Sequence, residues 1–588
     1  MPKLNSGGPD RKVVRVVPDV LGITREFDYY VPDAWCRDGR AERLGVGSMV
    51  RVSLAGRRVG AWVCALDVEP PQGVELAPLK TLRGIGPDAE MLELASWAAW
   101  RWANSRVKFL RAASPPSMLA GVPRGASREP VPCGPADVFS QAFELARQRG
   151  VAVVRTPPGS NDVSLALEAC RGGDALLLLA DSARARRLGI ALRRAGVKIA
   201  LGAQEWSVAA SGATVVGTRS AVWMPMPRLS AVVVFDEHDE SHTEQSTPAW
   251  NAREAALERA RRRGVPVVLS SPVPSLEALR CGPLLRPDRA AERSGWPRVE
   301  VFDRRTEDPA RVGLFAEGVA AVLRGEGRVV CVLNRRGRSR LLACAACGEL
   351  VRTVDGASPM VLEDSELRSP DGSEVRPPLC ALCGDTRLKN LRAGVTRARE
   401  ELEALVGEAV DEVTASTVAP PASRVVIGTE AVLHRLEAAD VVVFLDLDQE
   451  LLAPRQRAVE QTMALLARAA RLLGPRHSGG CLVLQTRQPD HEVVRAVRRA
   501  DPSIVAVAER DRRRSLGIAP YGAQVLVSGA GAAEFIGALG NPAGVRVLGP
   551  SHDRWLLQAD TREPLLDALE ATPRPDSRLR IEVDPLRV

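Results

Sequence analysis

Val232-Val233-Val234-Phe235-Asp236-Glu237-His238 is an apolar, β-branched run that ends in two adjacent carboxylates. A run of that length and composition, bounded by polar residues, reads as a strand buried on both faces of a sheet. Its C-terminal edge then delivers Asp236 and Glu237 together. In motor ATPases such an edge holds Mg²⁺ and orients the attacking water. A solvated loop after a buried strand is the plain alternative.

Outward from this strand, Val151–Val154, Ala175–Leu179, Ala213–Val216 and Val265–Leu269 are further apolar runs. They alternate with amphipathic segments such as Ala183–Ala195 and Asn251–Arg263, which predicts a parallel sheet covered by helices. A second series follows at Val329–Leu333, Arg424–Ile427, Val441–Leu445 and Cys481–Gln485. Two α/β lobes in series suggest a nucleic-acid motor. Ahead of them, Val13–Val17, Ser48–Val52 and Arg58–Cys64 are short strand-like runs, with a helix expected over about 88–104. The stretch 121–135 is rich in Pro, Gly, Ser and Arg and reads as a linker. The expected organisation is a disordered tail over 1–11, a mainly-β domain over 12–116 and a linker over 117–135. A first lobe then covers 136–300 and a second 301–490, with a cysteine-bearing insertion at about 340–390. A mixed α+β C-terminal domain occupies 491–588.

The net charge of +8 is mild for 588 residues, and about half the excess falls in residues 1–116, where 17 Lys/Arg meet 13 Asp/Glu. Arginine and lysine supply most sequence-independent DNA affinity, although a solvated basic surface has the same composition. No run of about 18 apolar residues exists to cross a membrane. Met1–Asp10 has no apolar core of a signal peptide, so a cytoplasmic protein is expected. Lysine is rare: Lys3, Lys12, Lys80, Lys108, Lys198 and Lys389 are all there are.

Of the eleven cysteines, seven are scattered. The other four form two C-x2-C pairs, Cys344/Cys347 and Cys380/Cys383, each followed by glycine and separated by 32 residues. Two such knuckles supply four thiolates for one tetrahedral, structural Zn²⁺; unpaired buried thiols are the alternative.

Further segments complete an ordered set: Phe27-Asp28-Tyr29-Tyr30-Val31-Pro32, Gly217–Pro225, Ser270–Glu277, Leu333-Asn334-Arg335-Arg336-Gly337, Gly428-Thr429-Glu430, Gln485-Thr486, Gly549-Pro550 and Val583-Asp584-Pro585. In this order and spacing the chain resembles the PriA replication restart family from about residue 12 to the end. The resemblance implies a mainly-β domain that binds DNA 3′ ends, two RecA-like superfamily 2 helicase lobes, a zinc-binding insertion in the second lobe and an α+β C-terminal domain. It also implies partners: branched fork DNA with its nascent 3′ end, replisome-loading proteins and single-strand-binding proteins. In the 3′-end pocket, Asp28 would accept a hydrogen bond from the terminal 3′-OH, beside Phe27 and Tyr29, with Gly56 on the opposite wall. Read without the family, Phe27 and Tyr29 are core residues and Asp28 a turn residue.

The chain departs from the family where ATP chemistry should lie. The family loop Gly-Ser-Gly-Lys-Thr-Glu is replaced by Pro157-Pro158-Gly159-Ser160-Asn161-Asp162. Ser160 stands for the phosphate-binding lysine and Asn161 for the Mg²⁺-binding threonine, and two prolines remove N–H donors. No lysine occurs between Lys108 and Lys198, so no shift of alignment restores the site. Each such electrostatic group is worth about 3–4 kcal/mol in comparable sites. The expected arginine finger falls on Leu472 or Pro475, with Arg468 and Arg471 nearby. Glu349–Leu379 holds no cysteine or histidine, so the family's inner zinc site is missing, and residues 121–135 are too short for its winged-helix domain. The expectation is a degenerate, helicase-like protein that binds stalled forks and promotes primosome reassembly, associated with the nucleoid. No residue is assigned a catalytic role, Gly159, Ser160, Asn161, Asp236 and Glu237 form a degenerate nucleotide site, and ATP is a doubtful ligand. An active 3′→5′ helicase with an unconventional site and a zinc-bearing protein–protein adaptor are the rival readings.

Overall fold

The structure is a computed structural model that describes residues 12–69, 73–123, 137–306, 313–334, 342–347, 349, 351–354, 360–363, 365–369, 374–390, 395–414, 417, 421–453 and 455–587. The tail expected over 1–11 lies outside these residues, as do Arg335–Gly337, Gly348 and most of the expected linker.

β-Branched runs and short turns build the N-terminal sheet. Strands β1 (Val13–Pro18), β2 (Phe27–Tyr30), β3 (Met49–Leu54), β4 (Arg57–Ala65) and β5 (Thr81–Gly84) pair antiparallel in the order β2-β1-β4-β3-β5. Ala55 and Gly56 have φ of 46° and 80°. Two consecutive left-handed residues make the β3–β4 loop a type I′ turn, whose twist suits a hairpin. Val14, Val16, Val50, Val52 and Val63 fill one face. Helices Ala89–Arg101 and Arg106–Ala113 follow, the first capped by Asp88, whose side chain accepts from the Met91 N–H.

The next series comprises β6 (Val151–Arg155), β7 (Asp174–Leu178), β8 (Ile199–Leu201), β9 (Thr214–Gly217) and β10 (Leu229–Phe235). A short antiparallel pair, β11 (Thr243–Glu244) and β12 (Trp250–Asn251), precedes β13 (Val267–Ser271) and β14 (Leu284–Leu285). Seven of these strands form one parallel sheet in the order β14-β6-β13-β10-β7-β9-β8. Its inner strands are apolar along their length because helices cover the sheet. The helix Ala252–Arg263 shows the local logic: Asn251 accepts from the Glu254 N–H at one end, and Gly264 closes the other in the left-handed conformation.

The second parallel sheet has six strands, β15 (Arg298–Asp303), β16 (Val329–Val332), β22 (Val410–Val413), β23 (Val425–Gly428), β24 (Val441–Phe444) and β25 (Cys481–Thr486), in the order β15-β25-β24-β16-β23-β22. Between β16 and β22 lie β17 (Leu342–Cys344), β18 (Val361–Glu363), β19 (Glu366–Arg368), β20 (Val375–Arg376) and β21 (Leu388–Asn390). They form two small antiparallel sheets, β17-β21 and β18-β19-β20. The chain ends in β26 (Ala523–Ser528), β27 (Val545–Ser551), β28 (Arg554–Ala559) and β29 (Arg580–Val583), an antiparallel sheet ordered β27-β28-β26-β29.

Two compact units result: Met1–Thr156, Ser160–Asp288 and Ala506–Val588 in one, Pro157–Gly159 and Arg289–Val505 in the other. The units divide near 288/289 and 505/506, where the sequence reading placed boundaries at 300/301 and 490/491. The edge strand β15 explains the first difference. Its alternating Arg298-Val299-Glu300-Val301 has no uninterrupted apolar run to announce a strand, yet it pairs with β25 of the second sheet.

The first unit is held by one continuous core that includes the two N-terminal helices, the parallel sheet and the C-terminal sheet. Trp102, Phe109, Trp223 and Trp250 form its aromatic chain, with centroids 5.8 Å, 5.3 Å and 5.4 Å apart at successive contacts. Arg101 donates to Glu254 at 2.8 Å and to Asp584 at 2.9 Å, and Arg562 also pairs with Asp584 at 2.9 Å. Burial would raise the Glu254 carboxyl, but Arg101, Arg562 and Arg253 outweigh it and hold the group below its usual range. No helix among the described residues is long and apolar enough to cross a membrane.

Candidate functional site

The residues singled out above fall into three places. At the N-terminal sheet, Phe27, Asp28 and Tyr29 are consecutive on the edge strand β2, so their side chains alternate between its faces. Asp28 is a strand residue here rather than a turn residue. Its two oxygens accept from Arg15 Nε at 2.8 Å and Nη2 at 3.1 Å, from the directly opposite position on β1. Tyr29 is buried, and its hydroxyl donates to the Ser53 carbonyl at 2.9 Å, which ties β2 to β3. Phe27 is half-buried, with the Arg25 guanidinium 4.7 Å from its ring centroid. Gly56 lies at the tip of the β3–β4 hairpin with open space around it. A carboxylate oriented by a bidentate arginine can accept from a hydroxyl, while Phe27, one position earlier, lies on the face of Tyr29 and packs against the core of this sheet.

The second place is the C-terminal edge of the seven-stranded sheet. The two acidic residues leave β10 together but serve different ends. Asp236 has a left-handed φ of 46°, which redirects the chain after Phe235. Its carboxylate pairs with Arg184, whose second nitrogen donates to Asp162 at 2.6 Å. Glu237 has a fully covered side chain, with Arg253 Nη1 at 2.7 Å and the Ser275 N–H and hydroxyl each at 2.7 Å. Asn161 caps the helix Asp162–Ala169, accepting from the Val163 N–H at 2.9 Å. Asp162 begins that helix, so a carboxylate stands at the end where partial positive charge would favour a phosphate. Gly159 groups with the second unit, and Ser160 precedes the cap, half-buried. Leu472 is buried, while Arg468 Nη1 lies 2.9 Å from His434 Nδ1.

Sequence reading missed Arg184, Arg253 and Arg15. Arg184 did leave a signal. It sits in the first turn of the helix Ser182–Arg194, where the dipole disfavours a cation, so an acidic partner was to be sought.

The third place is the insertion. The sulfurs of Cys344, Cys347, Cys380 and Cys383 all lie within 4.8 Å of one another, with Cys344–Cys383 at 3.4 Å and Cys347–Cys380 at 3.6 Å. Four thiolates about 2.3 Å from one Zn²⁺ in a tetrahedron are about 3.8 Å apart, so the donor set can hold one such ion. The antiparallel pair β17-β21 sets the first knuckle. Backbone N–H groups of Cys383 and Leu382 pull the Cys380 thiol down to about 7 and Cys344 is lowered as well, whereas Cys347 and Cys383, facing other thiols, are raised. Leu342, Val351, Met360 and Leu367 form a small core beside it.

The first unit also holds a cavity of about 1050 Å³ lined by Trp97, Trp100, Arg147, Arg261, Tyr521 and Arg562, among others. Arg280 and Arg514 stack on the Tyr521 ring at 4.8 Å and 4.9 Å.

Fold and site together define a helicase-like protein: an N-terminal DNA-binding domain, RecA-like parallel α/β sheets and a four-cysteine group able to hold zinc. A family model described as "3'DNA-binding domain (3'BD)" of PriA matches residues 13–115. The "Probable replication restart protein PriA" of Mycobacterium leprae is 26% identical over 667 residues, covering 96% of this chain and 99% of that one. The "Replication restart protein PriA" of Bacillus subtilis is 25% identical over 338 residues, and that of Haemophilus influenzae 26% over 353. Those matches cover 52% and 55% of this chain but only 42% and 48% of the relatives, so the chain spans under half the length of these two. Among solved structures, the DUF1998 helicase MrfA bound to DNA and AMPPNP has a TM-score of 0.36 at 12% identity, covering 66% of this chain and 55% of that one. RecG bound to a three-way DNA junction has 0.35 at 11%, covering 86% and 75%. The chain thus carries a PriA-type 3′DNA-binding domain over residues 13–115 and is similar along most of its length to a probable replication restart protein PriA.

Proposed function

We propose that the protein recognises stalled or abandoned replication forks by the nascent 3′ end and promotes reassembly of the replisome without hydrolysing ATP. The observation that carries this reading is the N-terminal domain: residues 13–115 match a 3′DNA-binding domain, and Asp28 there is held by Arg15 on the adjacent strand. In this reading Asp28 accepts the 3′-OH, and Gly56 lets backbone approach from the hairpin. One zinc ion in the insertion is structural, because its four thiolates leave no open position for substrate. The absence of turnover rests on the residues at the sheet edge: no lysine in the loop, Asn161 used as a helix cap, and both Asp236 and Glu237 in ion pairs. Partners are branched DNA, replisome-loading proteins and single-strand-binding proteins, in the cytoplasm at the nucleoid.

The test is fork binding. A fork with a free 3′-OH should bind more tightly than one ending in 3′-phosphate, by on the order of tenfold, and Asp28→Ala should abolish the difference. Equal affinities for the two ends, unchanged by Asp28→Ala, overturn the pocket. DNA-stimulated ATP turnover above about 1 s⁻¹, within the ordinary enzyme range, overturns the non-hydrolysing part.

A further inference from the structure

We infer that Arg184 is a built-in cation, its guanidinium occupying the carboxylate edge of the first parallel sheet and closing that edge to divalent metal and to metal-bound nucleotide. This rests on the non-hydrolysing reading above and names one residue that contributes to it.

Three crossovers converge at the edge. Asp236 follows β10 and is 4% exposed. Asp162 opens the helix after β6, and Arg184 lies in the first turn of the helix after β7. One guanidinium nitrogen pairs with Asp236 and the other with Asp162 at 2.6 Å, in a side chain only 16% exposed. Each contact is a charge-assisted hydrogen bond, and the one to Asp236 is buried, where such bonds are strongest. Burial works against the charged guanidinium, but the Asp236 and Asp162 carboxylates outweigh it and keep the group protonated.

A Mg²⁺ ion requires oxygen ligands at about 2.1 Å in near-octahedral geometry. At Asp236 it would meet a carboxylate already engaged, beside a fixed positive charge. Arg184 also gains nothing from its helix, because a cation in the first turn opposes the dipole. Its position is therefore accounted for by the two carboxylates, not by the element that carries it. The guanidinium supplies one permanent charge where a motor would use an exchangeable ion, so the lobe keeps its fold with no nucleotide to bridge it.

The experiment is Mn²⁺ titration of the zinc-loaded full chain, read by electron paramagnetic resonance. Wild type should show no Mn²⁺ site tighter than about 1 mM. Arg184→Ala should gain one site, tighter by on the order of tenfold, and adding Asp236→Asn should remove it. Arg184→Lys should keep the wild-type exclusion. If Arg184→Ala does not fold, Arg184→Gln, which keeps a hydrogen-bond donor without the charge, should show the same gain. Wild type binding Mn²⁺ as tightly as the neutral variant, or a folded neutral variant that gains no site, overturns the inference. ATP turnover by wild type would instead overturn the proposed function, so the two failures are distinguishable.

Discussion

At the scale of single residues, burial decides which charged groups are spent on the fold. The Arg15–Asp28 pair is partly exposed, so it is worth only about 0.2–1 kcal/mol. Asp28→Ala should therefore change thermal stability little while removing discrimination of the 3′ end, a split visible by measuring both on one preparation. His242 behaves oppositely. It is completely buried, and desolvation lowers its pKa below 6.5 despite the Phe235 carbonyl 2.8 Å from Nε2. The folded chain then binds fewer protons here than the unfolded chain below pH 6.5. Stability from this group is complete above that pH and falls below it by at most about 1.4 kcal/mol per unit, until the folded pKa is reached. His242→Gln should flatten this part of the urea-midpoint profile between pH 7 and 5; an unchanged slope would remove His242 as its source. The 3′-end role of Asp28 follows from the family resemblance, but neither its Arg15 partner nor the burial of His242 was legible beforehand, since a lone Asp or His in sequence carries no record of what covers it.

At the scale of elements, the small sheets of the insertion are short and their core is small, and a zinc ion held by the four thiolates would supply the stability they lack. Cys380→Ser should release the zinc and remove protection of β17 and β21 from hydrogen exchange, while the seven-stranded sheet keeps its protection. Zinc content and exchange mass spectrometry check both. The two knuckles were readable from C-x2-C spacing, and the central strands β6, β7, β10 and β13 from their continuous apolar runs. The strands β8, β14, β15 and β22 were not. They are short or lie at sheet edges, and half-polar edge strands lack the pattern that two-sided burial imposes.

At the scale of the molecule, Arg101 joins the N-terminal helix to Glu254 of the first sheet's helical layer and to Asp584 at the chain's end. Removing one partner of a buried pair leaves the others desolvated without full compensation. Arg101→Ala should cost about 3 kcal/mol in denaturant unfolding of the first unit. A loss under about 0.5 kcal/mol, the range of ordinary surface substitutions, would show the network to be dispensable. This joining of residues hundreds of positions apart left no trace in local pattern.

What the sequence alone determined was the alternation of apolar runs and amphipathic helices, the cysteine spacing, and the missing lysine between Lys108 and Lys198. Each is a local property, written in composition and period. Only the tertiary structure decided what Asp236 and Glu237 do. Adjacent in sequence, they part because Asp236 turns left-handed after β10, sending one carboxylate to Arg184 and the other to Arg253 and Ser275. The partner of a buried charge is set by which crossovers meet at a sheet edge, and that is a fact of packing.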